Sequence, residues 1–404
     1  MRYFNNLNFL ISICEAYMKD FIYLDNGATS FPKPEEVYTY MDQYYRRLGV
    51  NPGRSGYDIC IEAGEVVENT RKALTNFFNG KDPDRLCFSY NATDALNLII
   101  FGILQKGDHA ITTTVEHNSV LRPLYHFSEF GGGEVDHIPF DSKGFVDPDD
   151  IKKKIKSNTK LVIVNHASNV IGTIQPIKEI GRLSKENGII FAVDASQSAG
   201  KIPVDMEELN LDIIAFTGHK SLLGPTGIGG LYVREGIEIK HTRAGGTGVR
   251  SAVKTHLNEY PYRLEYGTPN TLGISGLLAG CQWVERQGLE YIYQHEAKLT
   301  TKLRDGLQKI DGVTLYCQDD LRNHISILLF NIDGMEAMNT GTILDVDYNI
   351  ACRTGLHCAP LVHDHLGTTE IHGAVRFGIG PFNTEEHIEA AIEGVADIEE
   401  MQKK

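Results

Sequence analysis

Lys220 closes the tetrad Thr217-Gly218-His219-Lys220 directly after the apolar run Asp212-Ile213-Ile214-Ala215-Phe216, and the stretch Ser221–Gly230 that follows is rich in glycine. A lysine held at a strand end among small and polar residues can form a Schiff base with a carbonyl cofactor such as pyridoxal 5′-phosphate (PLP); the competing reading is an ordinary solvated charge. Asp194 closes Phe191-Ala192-Val193-Asp194, ahead of Ala195-Ser196-Gln197. A carboxylate at a buried strand end is costly unless paired. A protonated pyridine nitrogen would pair with it and gain strength as an electron sink, whereas the plainer role is a helix N-cap.

Other residues suit the same chemistry. In Tyr90-Asn91-Ala92-Thr93-Asp94 a strand meets a helix, and the first N–H groups of that helix with the Thr93 hydroxyl suit a phosphate; alternatively Thr93 caps the helix. Thr217 and His219 would add donors, and the turn Gly245-Gly246-Thr247-Gly248 is a further place where backbone can approach an anion. His117, in Thr114-Val115-Glu116-His117-Asn118, can stack on a flat ring and relay protons, or simply be a satisfied histidine. Cys358 lies in Cys352-Arg353-Thr354-Gly355-Leu356-His357-Cys358-Ala359-Pro360. Positive charge near a thiol favours the nucleophilic thiolate, while burial as a small apolar group is the usual fate of an intracellular cysteine. Cys352, His357, Cys358, His363, His365 and His372 crowd one segment, but their spacing matches no standard zinc pattern. Arg376 ends the strand-like Ala374-Val375-Arg376-Phe377 and can fork onto a carboxylate.

The elements that must position these groups are legible as periodicity. Residues 35–48 and 58–78 read as helices; strand-like runs follow at Leu86–Tyr90, His109–Thr113, Leu161–Asn165, Ile189–Asp194, Asp212–Thr217 and Gly229–Val233, with helical patterns at Ala95–Ile103 and Ile177–Asn187. Continuous apolar strands alternating with helices predict a mostly parallel sheet covered on both faces. Ligands of such sheets bind beyond the carboxyl ends of the strands, which brings Thr93, His117, Asn169, Asp194 and Lys220 together. From about Thr271 the texture changes: helical patterns at 271–287 and 294–310, strands at Ile325–Asn331 and Val375–Gly378, and a last helix from Glu385 predict a smaller α+β domain.

The 404 residues, 42% hydrophobic and 23% charged, have the composition of an ordinary globular protein, and a net charge of −14 argues against nucleic-acid or anionic-membrane partners. Four lysines between Lys152 and Lys156 read as one solvated helix face. Seven scattered cysteines with no CxxC suit a reducing, cytoplasmic setting. No apolar run has the length of a membrane span. Residues 1–18 read as an N-terminal extension, with Met18 a candidate start.

Taken together, Tyr23-Leu24-Asp25-Asn26-Gly27-Ala28-Thr29, Glu116-His117-Asn118, Ser168-Asn169-Val170-Ile171-Gly172-Thr173, Asp194-Ala195-Ser196-Gln197, Thr217-Gly218-His219-Lys220, Gly267-Thr268-Pro269-Asn270 and Arg353-Thr354-Gly355-Leu356-His357-Cys358-Ala359 resemble the class V aminotransferase family, in its cysteine desulfurase and selenocysteine lyase branch. The resemblance runs from about residue 21 to 400 and implies a fold-type I PLP-dependent homodimer. Its large domain (35–268) would hold a mostly parallel seven-stranded sheet, and its small domain would combine 19–34 with 269–404. By the same resemblance Lys220 carries the cofactor, Asp194 faces the pyridine nitrogen, Gln197 the ring oxygen, and His117 stacks on the ring. Ala92, Thr93, Thr217 and His219 hold the phosphate, with Thr268 reaching in from the partner subunit. Ala28, Asn169, Arg353 and Arg376 line the substrate site, with Arg376 on the carboxylate, and Cys358 accepts sulfur from L-cysteine as a persulfide. No metal is implied. L-selenocysteine or a sulfinate suits the same pocket, as does an aminotransferase or epimerase in which Cys358 is structural. Asn91-Ala92-Thr93 departs from the commoner Gly-Thr-Thr of the family, and the short loop around Cys358 suggests an acceptor protein that brings its own thiol to the pocket.

Overall fold

The computed structural model describes residues 21–53, 56–317 and 319–403. The expectations about residues 1–18 lie outside the described residues. The chain enters through β1 (Ile22–Tyr23), α1 (Glu35–Leu48) and α2 (Asp58–Phe77). Then follow β2 (Leu86–Ser89), α3 (Ala92–Ile103), β3 (His109–Thr113), α4 (Asn118–Phe130), β4 (Glu134–Ile138), α5 (Pro148–Lys154), β5 (Thr159–Asn165), α6 (Ile177–Glu186), β6 (Ile190–Asp194), β7 (Ile213–Thr217) and β8 (Gly229–Val233). An irregular stretch leads to α7 (Thr271–Gln287), α8 (Leu289–Leu307), β9 (Val313–Leu315), β10 (Ile327–Ile332), α9 (Ala337–Tyr348), β11 (Ile350–Ala351), β12 (Arg353–Gly355), α10 (Pro360–Leu366), β13 (Ala374–Gly378) and α11 (Glu385–Lys403).

Seven strands form one sheet in the order β2-β8-β7-β6-β5-β3-β4, parallel throughout except that β8 runs against both neighbours. Both faces are covered, so β3, β7 and β8 are buried at every position. Val164, Phe191 and Phe216 pack on one side, and Leu96, Ile99, Ala192 and Leu231 on the other. Each such large apolar side chain contributes about 1.5–3 kcal/mol by burial.

A second, antiparallel sheet has the order β12-β13-β10-β9. Leu299, Leu303, Val395 and Ile398 of α8 and α11 share its core with Leu328, Phe330 and Phe377. The N-terminal segment belongs beside this sheet: β1 pairs in parallel with β11, and Asp25 bridges Gly378. Helix α7 packs instead on α1 and α2, and its Ile274, Leu277 and Cys281 join the core of the large sheet. Across the junction, buried Lys201 pairs with buried Glu296, whose Oε2 also accepts from Ser326 Oγ at 2.6 Å.

The six large-sheet strands anticipated from sequence are present within two residues at each end, and the architecture is the α/β one expected. The seventh strand, β4, escapes periodicity because Glu-Val-Asp-His-Ile is a largely solvated edge strand. Helix α4 is masked by Pro123 inside it. The lysine run forms no single helix face: α5 ends at Lys154, and Lys156, beyond it, pairs with Glu134 at 3.0 Å and Asp136 at 3.2 Å. Among the described residues no helix is long and apolar enough to cross a membrane.

Candidate active site

At the carboxyl ends of the parallel strands lies a cleft of about 260 Å³. Of the residues singled out from sequence, Ala28, Ala92, Thr93, His117, Asn169, Asp194, Gln197, Thr217, His219, Lys220, Arg353 and Arg376 all line it. The sheet explains the convergence. Adjacent strands β7, β6, β5 and β3 end together, and their ends and the turns that leave them carry Lys220, Asp194, Asn169 and His117 in that lateral order. The start of α3, after β2, and the second sheet close the remaining walls with Ala92, Thr93, Arg353 and Arg376.

Asp194 is not a helix cap. A turn follows it, and its Oδ1 accepts from Ser196 N at 2.9 Å and Ser196 Oγ at 2.5 Å. Nor does Thr93 cap α3, because Asn91 Oδ1 accepts from Asp94 N at 3.0 Å, leaving the Thr93 hydroxyl to the cleft. His117 does cap α4: its Nδ1 accepts from Ser119 N at 3.0 Å, so the neutral ring carries its proton on Nε2. Burial, reinforced by the Lys220 charge, pushes His117 down to about 4. Burial also pushes Lys220 down to about 8, with Arg376 and Arg353 acting in the same direction and Asp194 opposing them. The amine is therefore available as nucleophile and base near neutral pH.

Arg376 is fully buried; its guanidinium pairs with Asp25 Oδ1 at 2.5 Å and donates to the Asn169 carbonyl at 2.9 Å, while Nε has no partner. Gly27 permits this approach, since a Cβ there would lie 3.1 Å from Arg376 Cζ. Gln197 Nε2 donates to the Gly27 carbonyl at 2.8 Å.

Cys358 is not among the residues that line the cleft; it reaches the cleft through Arg353. The Arg353 guanidinium, which lines the cleft, reaches its Sγ at 3.1 Å. Cys352, by contrast, is pushed up to about 12 by burial. The crowded Cys/His segment does not gather into a metal cage: among the described residues there is no group of three or more potential metal ligands. Thr268 and Thr247 line a separate cavity of about 640 Å³, together with Tyr90 and Asp94 from the outer side of the phosphate-type turn. Sequence reasoning gave no role to Asp25, Ser196 or Ser119, the polar partners that hold Arg376, Asp194 and His117. Asp25 sits within a quoted motif, and the signal that finds it is the need of a buried arginine for a carboxylate.

The cleft fits PLP. Thr217 Oγ1, His219 Nδ1 and Asn169 Oδ1 are buried polar atoms with no protein partner, and unmet groups of this kind call for a polar ligand. The helix start at Ala92 and Thr93 supplies N–H groups for an anion, and a lysine and a carboxylate face the same space. Such a site on such a sheet defines a fold-type I PLP-dependent transferase. The chain belongs to the class-V aminotransferases, whose family model it matches over residues 22–391; that family is PLP-dependent in general. A probable cysteine desulfurase of Pyrococcus abyssi is 36% identical over 393 residues, with 95% of each chain covered. One from Methanothermobacter thermautotrophicus is 34% identical over 95% of this chain and 96% of its own. Among solved structures, the apo cysteine desulfurase of Thermococcus onnurineus NA1 superposes with a TM-score of 0.86 at 35% identity, covering 96% of this chain and 98% of its own. The Escherichia coli cysteine desulfurase CsdA, in an S-sulfonic acid form, gives 0.85 at 28% identity over 95% and 96%.

Proposed function

We propose that this chain is a PLP-dependent cysteine desulfurase that converts L-cysteine to L-alanine and takes the sulfur onto Cys358 as a persulfide. The observation that carries the reading is the Arg353 guanidinium, which lines the cleft of Lys220 and Asp194 and also touches the Cys358 thiol at 3.1 Å. The cofactor, when bound, supplies an electron sink for the carbanion formed at the substrate Cα. Lys220 would hold it covalently, with Asp194 placed for its ring nitrogen, Gln197 for its ring oxygen and His117 for its face. Ala92, Thr93, Thr217 and His219 receive its phosphate, together with Thr268 of a second copy in a homodimer. The exposure of Thr268 and its place in the separate cavity, outside its own chain's cleft lining, support that last assignment.

Arg376, held by Asp25, orients the substrate carboxylate between Ala28 and Asn169. Lys220, released when the substrate amine takes its place and then free-based in part near neutral pH, takes the Cα proton, and the Nε2–H of His117 can return a proton. The Cys358 thiolate attacks the substrate sulfur; the carbon–sulfur bond breaks with its electron pair left on the substrate carbon, which is protonated on the way to alanine, and the sulfur stays on Cys358. An acceptor protein in the cytoplasm then removes it for iron–sulfur or thio-cofactor assembly. Residues 35–268, with α7 (Thr271–Gln287) packed into the same core, form the cofactor-holding unit, and 19–34 with the chain after α7 the unit that brings Arg353, Cys358 and Arg376 to it. The purified protein should be yellow, and with L-cysteine and a reductant it should release alanine and sulfide. Formation of a 2-oxo acid without sulfide, or a colourless zinc protein, would overturn the reading.

A further inference from the structure

Behind Cys358 lie two imidazoles that no step above uses. His357 is 2% exposed and His363 0%. His357 Nδ1 lies 3.1 Å from His363 Nε2, His363 Nδ1 lies 2.8 Å from Thr368 Oγ1, and His357 Nε2 lies 3.3 Å from the Arg353 carbonyl oxygen. A carbonyl only accepts, so His357 carries a proton on Nε2. Burial, with the guanidinium groups of Arg376 and Arg353, holds His357 well below the ordinary imidazole range, and burial holds His363 down at about 4. With both rings neutral, His357 Nδ1 must accept and His363 must donate from Nε2, so the Thr368 hydroxyl proton goes to His363 Nδ1 at 2.8 Å in preference to the His363 carbonyl oxygen at 3.3 Å. The polarity of the whole chain, Thr368 to His363 to His357 to the Arg353 carbonyl, is thereby fixed. With neutral rings the opposite direction would set a lone pair of His357 against the carbonyl.

The loop spanned by this chain is one that cannot hold itself. His357 and Cys358 both have left-handed backbone, with φ of +50° and +57°, a conformation that persists in non-glycine residues only when surroundings impose it. From the turn after β5, Asn169 Nδ2 donates to the His357 carbonyl at 2.8 Å, and from the start of α4, Asn118 N donates to the Cys358 carbonyl at 2.7 Å. The imidazole chain braces the other side and ends on the residue whose guanidinium contacts the thiol.

We propose that Thr368, His363 and His357 are positioning residues that fix the Arg353–Cys358 loop, so that the Arg353 guanidinium stays against Cys358 Sγ. Its importance for catalysis rests on the sulfur-accepting role proposed for Cys358, but thiol reactivity is measurable without turnover. Alkylation of Cys358 by iodoacetamide in the holoenzyme, followed by peptide mass spectrometry across a pH series, reads the contact directly. Thr368→Val removes the hydroxyl that feeds the chain, and Thr368→Ser keeps it. Thr368→Val and His363→Leu, by loosening the Arg353–Sγ contact, should slow alkylation about tenfold at neutral pH, while Thr368→Ser restores the original rate. A lower melting temperature with an unchanged alkylation rate would overturn the proposal and leave the chain a purely structural one. Should neither variant fold, nitrogen NMR of histidine-labelled wild-type holoenzyme decides. Neutral rings with the proton on Nε2 in both His357 and His363 support the proposal, and a cation or an Nδ1–H form in either at neutral pH refutes it. Altered alkylation in Thr368→Val, with no alanine from L-cysteine in the wild type, would sustain the brace and sink the desulfurase reading alone.

Discussion

The Lys220 amine should capture its cofactor with a pH dependence unlike that of a surface lysine. Burial brings it to about 8 from an ordinary 10.5. Near pH 7 the free amine is then roughly one molecule in ten, against roughly one in three thousand for an unperturbed lysine, a gain of roughly 300-fold in nucleophile. Asp194 is the strongest of the influences that hold the proton on, ahead of Cys358. Asp194→Asn should therefore lower the midpoint further, even as it weakens the grip on the cofactor. The assay is stopped-flow capture of added PLP by apoenzyme, followed by the growth of the visible absorption band. The wild-type rate should climb with pH and level off past about 8, and Asp194→Asn should level off at lower pH. A wild-type rate still climbing past about pH 10, where ordinary lysines titrate, or a higher midpoint in Asp194→Asn, would refute the electrostatic reasoning.

Arg376→Lys keeps the charge but loses the fork held by Asp25, so the KM for L-cysteine should rise about tenfold or more; an unchanged KM would remove Arg376 from the carboxylate site. Lys201→Met strands buried Glu296 and should cost about 3–5 kcal/mol in urea unfolding, with Lys201→Met/Glu296→Leu recovering much of it; no loss in the single variant contradicts the pairing. Glu116 is buried, and desolvation raises it from 4.5 to about 8. Both folded and unfolded states hold its proton at low pH, but between those two values only the folded state does. Stability should thus fall with rising pH by about 1.4 kcal/mol per unit from this group, about 5 kcal/mol in all. Glu116→Gln should flatten that slope in urea midpoints measured across pH, and an identical slope in the variant would refute the burial argument.

Much of the large sheet was legible because its central strands are uninterrupted apolar runs, each ending in a residue with chemistry: Asp194 after Phe191-Ala192-Val193, Lys220 just past Phe216. Convergence of those ends follows from the parallel arrangement, so the lining of the cleft is legible in the sequence. Strand β4 was missed because an edge strand alternates polar with apolar and needs no buried face. The partners were hidden for a different reason. Ser196 and Ser119 are short-range acceptor-satisfying groups, ordinary in type, and Asp25 meets Arg376 across 351 positions of sequence. The histidine chain behind Cys358 was visible only as crowding. Spacing could raise metal binding as a question, whereas the 3.1 Å contact between His357 and His363 answers that these rings bond to each other.

The account turns on where the sulfur goes. Holoenzyme exposed to L-cysteine without reductant should yield a Cys358 peptide heavier by one sulfur atom, with alanine formed in matching amount and the added sulfur released by a thiol reductant. Cys358→Ser should form neither the persulfide nor a steady stream of alanine, even with Cys352, pushed up to about 12, close by in sequence. Full alanine production by Cys358→Ser, or added sulfur found on a different cysteine of the wild type, would contradict the central claim.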